Sequence, residues 1–235
     1  MRQRHIAGLA VIAVFAFSAL TIAPAWGALP ELVNSSGKEL VKKRISVTTN
    51  GATFNGSNPL ICKTASVSGE VSGLKKVVKA KMSFGGCKVQ FLCTPNETGS
   101  FSTAELEGEI GYISAAEKKV GLDLWPTSRT AAEREKHQFL ATVAEFQCAA
   151  TFSRIRGSII GQLAPVNKAV KTTEHFELGY RASISKQELS KLEGVEGGAK
   201  DVLQLSLSST ILPYEEVGLS MLGKARFEEE AELKA

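Results

Sequence analysis

Three glutamates at period two, Glu105, Glu107 and Glu109, are the residues of this chain whose type and spacing come nearest to chemistry. Two carboxylates about 5–10 Å apart can flank a glycosidic bond, one as acid and the other as base or nucleophile. Same-face neighbours on a strand sit about 7 Å apart, inside that window. Tyr112 and Trp125 follow along the chain, with Tyr214 further on, as aromatic faces on which a sugar could stack. The plainer account is a half-buried strand with ordinary glutamates on its wet side and the aromatics in the core. Val120-Gly121-Leu122-Asp123-Leu124-Trp125-Pro126 is apolar enough to bury Trp125, and Asp123 then alternates outward into solvent. Non-enzymatic binding, with Trp125 and Tyr112 as contact residues, is the preferred expectation. A glycan hydrolase using the paired glutamates is the alternative.

Other chemistries find less. Gly157-Ser158-Ile159-Ile160-Gly161 lacks the spacing of a nucleophile elbow and lies in a strand-like run. Beyond the N-terminal segment the chain has two histidines, His137 and His175, and two aspartates, Asp123 and Asp201, so a Ser-His-Asp site has few members to draw on. Glu133 and His137 share a face if their segment is helical, but two ligands do not make a metal site, and an i,i+4 surface pair explains them. No metal and no cofactor is expected.

Cys62, Cys87, Cys93 and Cys148 are even in number. The Cys87–Cys93 spacing does not match a zinc knuckle, and no histidine lies nearby to complete one. In an exported chain such a set forms disulfides, and four cysteines allow three connectivities. A local Cys87–Cys93 loop with Cys62–Cys148 joining distant strands is the expected pairing. Export itself is read from residues 1–27. Arg2, Arg4 and His5 precede an uncharged, mostly apolar run from Ile6 to Ala25, and Ala25-Trp26-Gly27 offers small residues where a signal peptidase cuts. The chain is therefore expected in the cell envelope or outside the cell, and the apolar run could also be kept as an anchor.

Removing these 27 of the 235 residues leaves 208, with no second stretch long and apolar enough to span a membrane. Two of the 28 basic residues go with the signal, leaving 26 against 24 acidic ones, so the remainder is close to neutral and nucleic acid is not an expected partner. Lys42-Lys43-Arg44 and the series Lys75, Lys76, Lys79, Lys81 read as solvated strand faces. The partner class stays open between a cell-wall or extracellular polymer, a surface partner and a small ligand. The sequons at Asn34, Asn55 and Asn96 occur about as often as chance allows and decide nothing.

The elements that must position any site are strands. Val78, Ala80, Met82 and Phe84 alternate with Lys79, Lys81 and Ser83; Leu106, Ile110 and Tyr112 with the three glutamates; Phe176, Leu178 and Tyr180 with Glu177 and Arg181; and Leu203, Leu205 and Leu207 with Gln204 and Ser206. Period two is what a strand with one buried face requires. Asn50-Gly51, Asn55-Gly56, Gly85-Gly86, Pro95-Asn96, Gly197-Gly198 and Pro213 punctuate these runs. An all-β sandwich or partly closed barrel follows, with at most one or two short helices. One helix is predicted from the capping-box pattern Ser185-Lys186-Gln187-Glu188 through Leu192, and 130–139 is a polar helix or loop. Residues 28–42 read as a loosely ordered lead-in, 43–235 as a single β-rich domain, and Glu228 to Ala235 as a last edge strand.

Taken in order, several segments resemble a family of exported actinobacterial proteins. They are Phe84-Gly85-Gly86-Cys87 with Cys93, Leu106 to Ile113, Lys119 to Pro126, Phe146-Gln147-Cys148, Arg156 to Gly161, Pro165 to Lys168 and Glu229 to Lys234. The resemblance implies export, a β-rich fold and paired cysteines, and carries no site residue with it.

Overall fold

The computed structural model describes residues 29–90, 92–130, 132–133, 141–193, 201–207 and 213–235. The signal-like segment, His137 and the Gly197-Gly198 turn lie outside them. The first part of the chain supplies β1 (Glu31–Asn34), β2 (Val41–Thr49), β3 (Ala52–Asn55), β4 (Leu60–Cys62), β5 (Thr64–Ser72), β6 (Lys76–Gly85), β7 (Lys88–Val89) and β8 (Phe101–Ser102). The middle supplies β9 (Leu106–Ser114), β10 (Lys119–Pro126), β11 (Thr142–Cys148), β12 (Thr151–Gly157), β13 (Ile159–Ala164) and β14 (Ala169–Val170). The last part supplies β15 (Phe176–Tyr180), β16 (Ala182–Ser183), β17 (Lys186–Gln187), β18 (Leu203–Ser206), β19 (Glu215–Phe227) and β20 (Ala231–Lys234).

Eight of these close into an antiparallel barrel in the order β19-β15-β13-β10-β9-β6-β5-β2, with β2 bonded back to β19. The expected all-β, disulfide-bearing class holds, and the barrel is fully closed. Closure leaves the ring without an open edge, and at eight strands side chains fill the interior. Val47, Val67, Met82, Ile110, Leu122 and Leu178 belong to that single core, each at most 6% exposed.

Strand β19 is 13 residues long because it serves two layers. Its C-terminal half pairs with β15 and β2 in the barrel. Its N-terminal half pairs with β18 and β3, which continue outward as β18-β12-β11 and β3-β4-β7. β8 adds to β6, and a bridge from Thr103 to Ala144 links that edge to β11. Phe54, Phe84, Phe101 and Phe146 fill the junction; Phe101 sits 4.9 Å from the ring centres of both Phe84 and Phe146. A separate sheet, β1-β20-β14, contributes Leu32, Leu233 and Val170 to the same core.

Several expectations change here. Residues 31–34 are no loose lead-in: β1 pairs with β20 over all four positions, and Leu32 and Leu40 are buried. β20 is a strand as expected, but the central one of its sheet, so it has no free edge. The alternation through Val78 is broken by a bulge between Val77 and Ala80, where Lys79 adopts a φ of 50°. Val77, and not Val78, is therefore the buried residue. No helix forms at Ser185–Leu192. β16 and β17 make a small hairpin there, lying on Gly218 of β19, where a side-chain carbon would come within 2.4 Å of Ala182 and of the Lys186 carbonyl. A two-turn helix has little intrinsic stability, so this close packing overrides the capping pattern.

The cysteine pairing also differs. All four are bonded, as Cys62–Cys87 and Cys93–Cys148. The Lys63 amide donates to Gly85 O at 3.0 Å, a rung that sets Cys62 and Cys87 side by side at the β4–β5 junction. The Asn96 amide donates to Gln147 O, and Asn96 Oδ1 accepts from the Gln147 amide at 2.7 Å, which docks the Cys93 loop on the end of β11. Contacts distant in sequence thus overrule the shortest loop.

Candidate functional site

Glu107 and Glu109 share the outer face of β9, both half-buried. Glu107 stands opposite Trp125 in the β9–β10 register, and the indole N–H donates to Glu107 Oε1 at 3.0 Å. Glu109 lies between Asp123 on β10 and Lys76 on β6. Glu105 precedes β9, and its carbonyl accepts from the Thr127 amide and hydroxyl. Trp125 and Tyr112 are 4% and 8% exposed, so neither turns a ring to solvent. Tyr214 carries the Arg156 guanidinium 3.6 Å above its ring.

Asp123, expected in solvent, is 2% exposed. Its side of β10 is covered because Ile160, Leu192, Ile113 and Leu189 form a second, small apolar cluster on the outside of the barrel wall. Gly121 makes room for it: a side-chain carbon there would meet Leu192, Ile113 and Ile160 at about 3 Å. Tyr112 and Glu193 form a bridge that fixes this segment against β9. β10 is therefore buried on both faces, and period two alone does not reveal a second layer.

A broad concavity lies elsewhere. Where β19 leaves the barrel, β3 stops pairing at Ser220 and β2 begins at Gly223. The β2–β3 turn is pinned at that gap by Thr49, whose hydroxyl donates to Gly51 O at 2.6 Å and accepts from the Gly51 amide. On the other side stand β15 and the β16–β17 hairpin. Between them lies an open cleft of about 890 Å³, lined by Asn50, Thr53, Gln162, Glu177, Arg181, Glu188 and Ser220, with Leu222 in it. Leu222 is 66% exposed, and Asn55 Nδ2 holds Ser220 Oγ at 2.9 Å. Two carboxylates, one guanidinium, amides and hydroxyls set around one apolar side chain can bind a hydroxyl- or amide-rich chain by hydrogen bonds. The alternation around Glu177 and Arg181 was the sequence signal for this wall; the opposite wall comes from residues more than a hundred positions away.

The void enclosed by Phe54, Met82, Phe84, Leu203 and Leu219 is about 10 Å³, near the least that holds a single water. Ser158, Asp201 and Tyr180 are among the polar side chains buried inside the protein. Ser158 donates from its hydroxyl to the Asp201 carboxylate, both buried. Tyr180 is 2% exposed, its ring lies over Gly161, and its hydroxyl has no hydrogen-bond partner among the described residues. Burial pushes the Tyr180 phenol well above the ordinary tyrosine value of 10.0, and the Asp123 carboxylate acts in the same direction. The folded protein therefore keeps this proton while the unfolded chain releases it, so stability is full below about pH 10 and falls above it by up to about 1.4 kcal/mol per pH unit. Urea unfolding at pH 9 to 11 is expected to show that fall in the parent and a shallower one in Tyr180→Phe.

Among the described residues no group of three or more His, Cys, Asp or Glu is placed to hold a metal ion, and no helix is long and apolar enough to cross a membrane. Compared with family models, curated proteins and solved structures, the chain matches none.

Proposed function

We propose that this is a secreted or envelope-associated, non-enzymatic binding protein that holds a segment of a hydrophilic polymer, of the kind a cell wall or extracellular matrix offers, in the cleft over β19. The carrying observation is that cleft: open, about 890 Å³, lined by polar and apolar groups together, and built on paired strands that hold it ready for a chain. An open groove suits a polymer passing through, whereas a closed carrier needs an internal cavity. Two disulfides fit an oxidising compartment, in keeping with the signal-like N-terminus. Glu107, engaged by Trp125, supports the binding reading over hydrolysis.

The test is calorimetric titration of the oxidised protein with neutral cell-wall glycan fragments, with released sugar assayed in parallel. Saturable binding is expected, weakened about 5- to 10-fold by Arg181→Ala and by Gln162→Ala, the loss of one hydrogen bond each. Binding indifferent to both substitutions would remove the cleft from the account. Sugar release abolished by Glu107→Gln would make the protein a hydrolase instead. Trp125, being buried, serves as the folding control.

A further inference from the structure

A second surface, on the outer barrel wall, has a different chemistry. Two rows of side chains cross the strands in register there. One runs Lys224, Thr48, Ser66, Ser83, Ser102 over β19, β2, β5, β6 and β8. The next runs Arg226, Ser46, Ser68, Lys81 over the first four of these strands. All nine are exposed. Three further cations of these strands are ion-paired: Lys43 with Glu229 at 3.0 Å, Arg44 with Glu228 at 3.8 Å and Lys79 with Glu70 at 3.1 Å. Lys81, Lys224 and Arg226 make no ion pair among the described residues, although Glu177 on β15 is the cross-strand partner of Lys224. The result is a field of hydroxyls with unpaired cations at both ends.

At one end the field is concave. A depression of about 460 Å³ is lined by the hydroxyls of Thr64, Ser66, Ser83, Ser100 and Ser102, with Ser83 and Ser102 hydrogen-bonded at 3.0 Å and no carboxylate in the lining. Hydroxyls can donate to anionic oxygens, and their absence of charge keeps the site open to an anion that a glutamate would repel. The span from Lys81 to Arg226 is three strand spacings, about 14 Å. That length accepts a few repeats of a short polyol phosphate lying across the strands, one phosphate near Lys224 and Arg226 and another near Lys81 and the depression.

The geometry points to this wall as the docking surface for a linear polymer of short polyol units joined by phosphodiesters. It shares no titratable or cationic residue with the cleft, so it stands or falls separately from the neutral-glycan reading. The oxidised protein is titrated with poly(glycerol phosphate), polyglutamate and single-stranded DNA of matched charge, at several salt concentrations. Poly(glycerol phosphate) is expected to bind saturably at low salt, with log affinity falling against log salt at a slope of about −2 to −3 for three cation contacts. Polyglutamate should bind at least about tenfold more weakly, because planar carboxylates do not match the hydroxyl rows as tetrahedral phosphates do, and DNA likewise, because its bulky nucleosides keep the phosphates from lying along those rows. The triple variant Lys81→Gln, Lys224→Gln, Arg226→Gln should lose about 30-fold or more and flatten the slope, whereas Arg181→Ala in the cleft should change nothing. All three side chains are exposed, so circular dichroism should be unaltered. No saturable binding, equal or tighter binding of either control polymer, or an unaffected triple variant would each overturn the assignment.

Discussion

Replacing both Cys93 and Cys148 by serine is expected to lower the unfolding free energy by about 4 kcal/mol, the loop-closure value for a bridge of this span. The two residues are 55 apart in sequence and join the loop after β7 to the end of β11. Removing the bridge frees a long segment of the unfolded chain while leaving the Asn96–Gln147 hydrogen bonds to hold the loop alone. Cys62–Cys87, with a separation of 25, is worth roughly 3.5 kcal/mol on the same reckoning. Against a typical total of about 5–15 kcal/mol, either loss is large. Denaturant unfolding of the two double variants measures the size. Peptide mapping without reduction checks the pairing, since a peptide linking Cys87 to Cys93 would contradict the strand contacts described above.

Phe101→Ala should cost about 3–5 kcal/mol. Phe101 is 5% exposed and stacks with Phe84, tilts against Phe146 at the same 4.9 Å, and reaches Phe54 at 6.2 Å. It comes from β8, Phe84 from β6, Phe146 from β11 and Phe54 from β3, so this one ring holds the barrel wall to the outer strands. The cavity left behind cannot collapse easily, because paired strands fix the backbone on every side. Thermal unfolding is expected to fall by roughly 10 °C for a chain of this size. Phe101→Leu, which refills most of the space, should recover more than half of it. A loss under 1 kcal/mol in Phe101→Ala would mean the outer strands are held by their hydrogen bonds alone.

How far the chain could be read follows from particular elements. The alternation at Leu106, Ile110 and Tyr112 and at Phe176, Leu178 and Tyr180 is reproduced in the barrel wall, because one buried face imposes its period on any strand. Asn50-Gly51 and Asn55-Gly56 mark real turns on either side of β3. Lys79 shows the limit of such reading: a single bulge shifts the phase, and nothing local announces it. Asp123 and Trp125 show another, since burial on the outer side of β10 depends on a segment about seventy residues later folding over it.

The sites divide in the same way. Local composition marked four cysteines as bonding partners. It could not choose the partners, because disulfide pairing follows strand contacts distant in sequence. Nor could it find the cleft, whose walls come from residues 50–53, 162, 177–188 and 220–222. By itself the sequence determined an all-β chain with paired cysteines, since period, turn residues and cysteine count are local properties. Which cations stay unpaired, which carboxylate is buried and where the wall opens were decided only by tertiary structure, because strand register is set by the whole core closing at once.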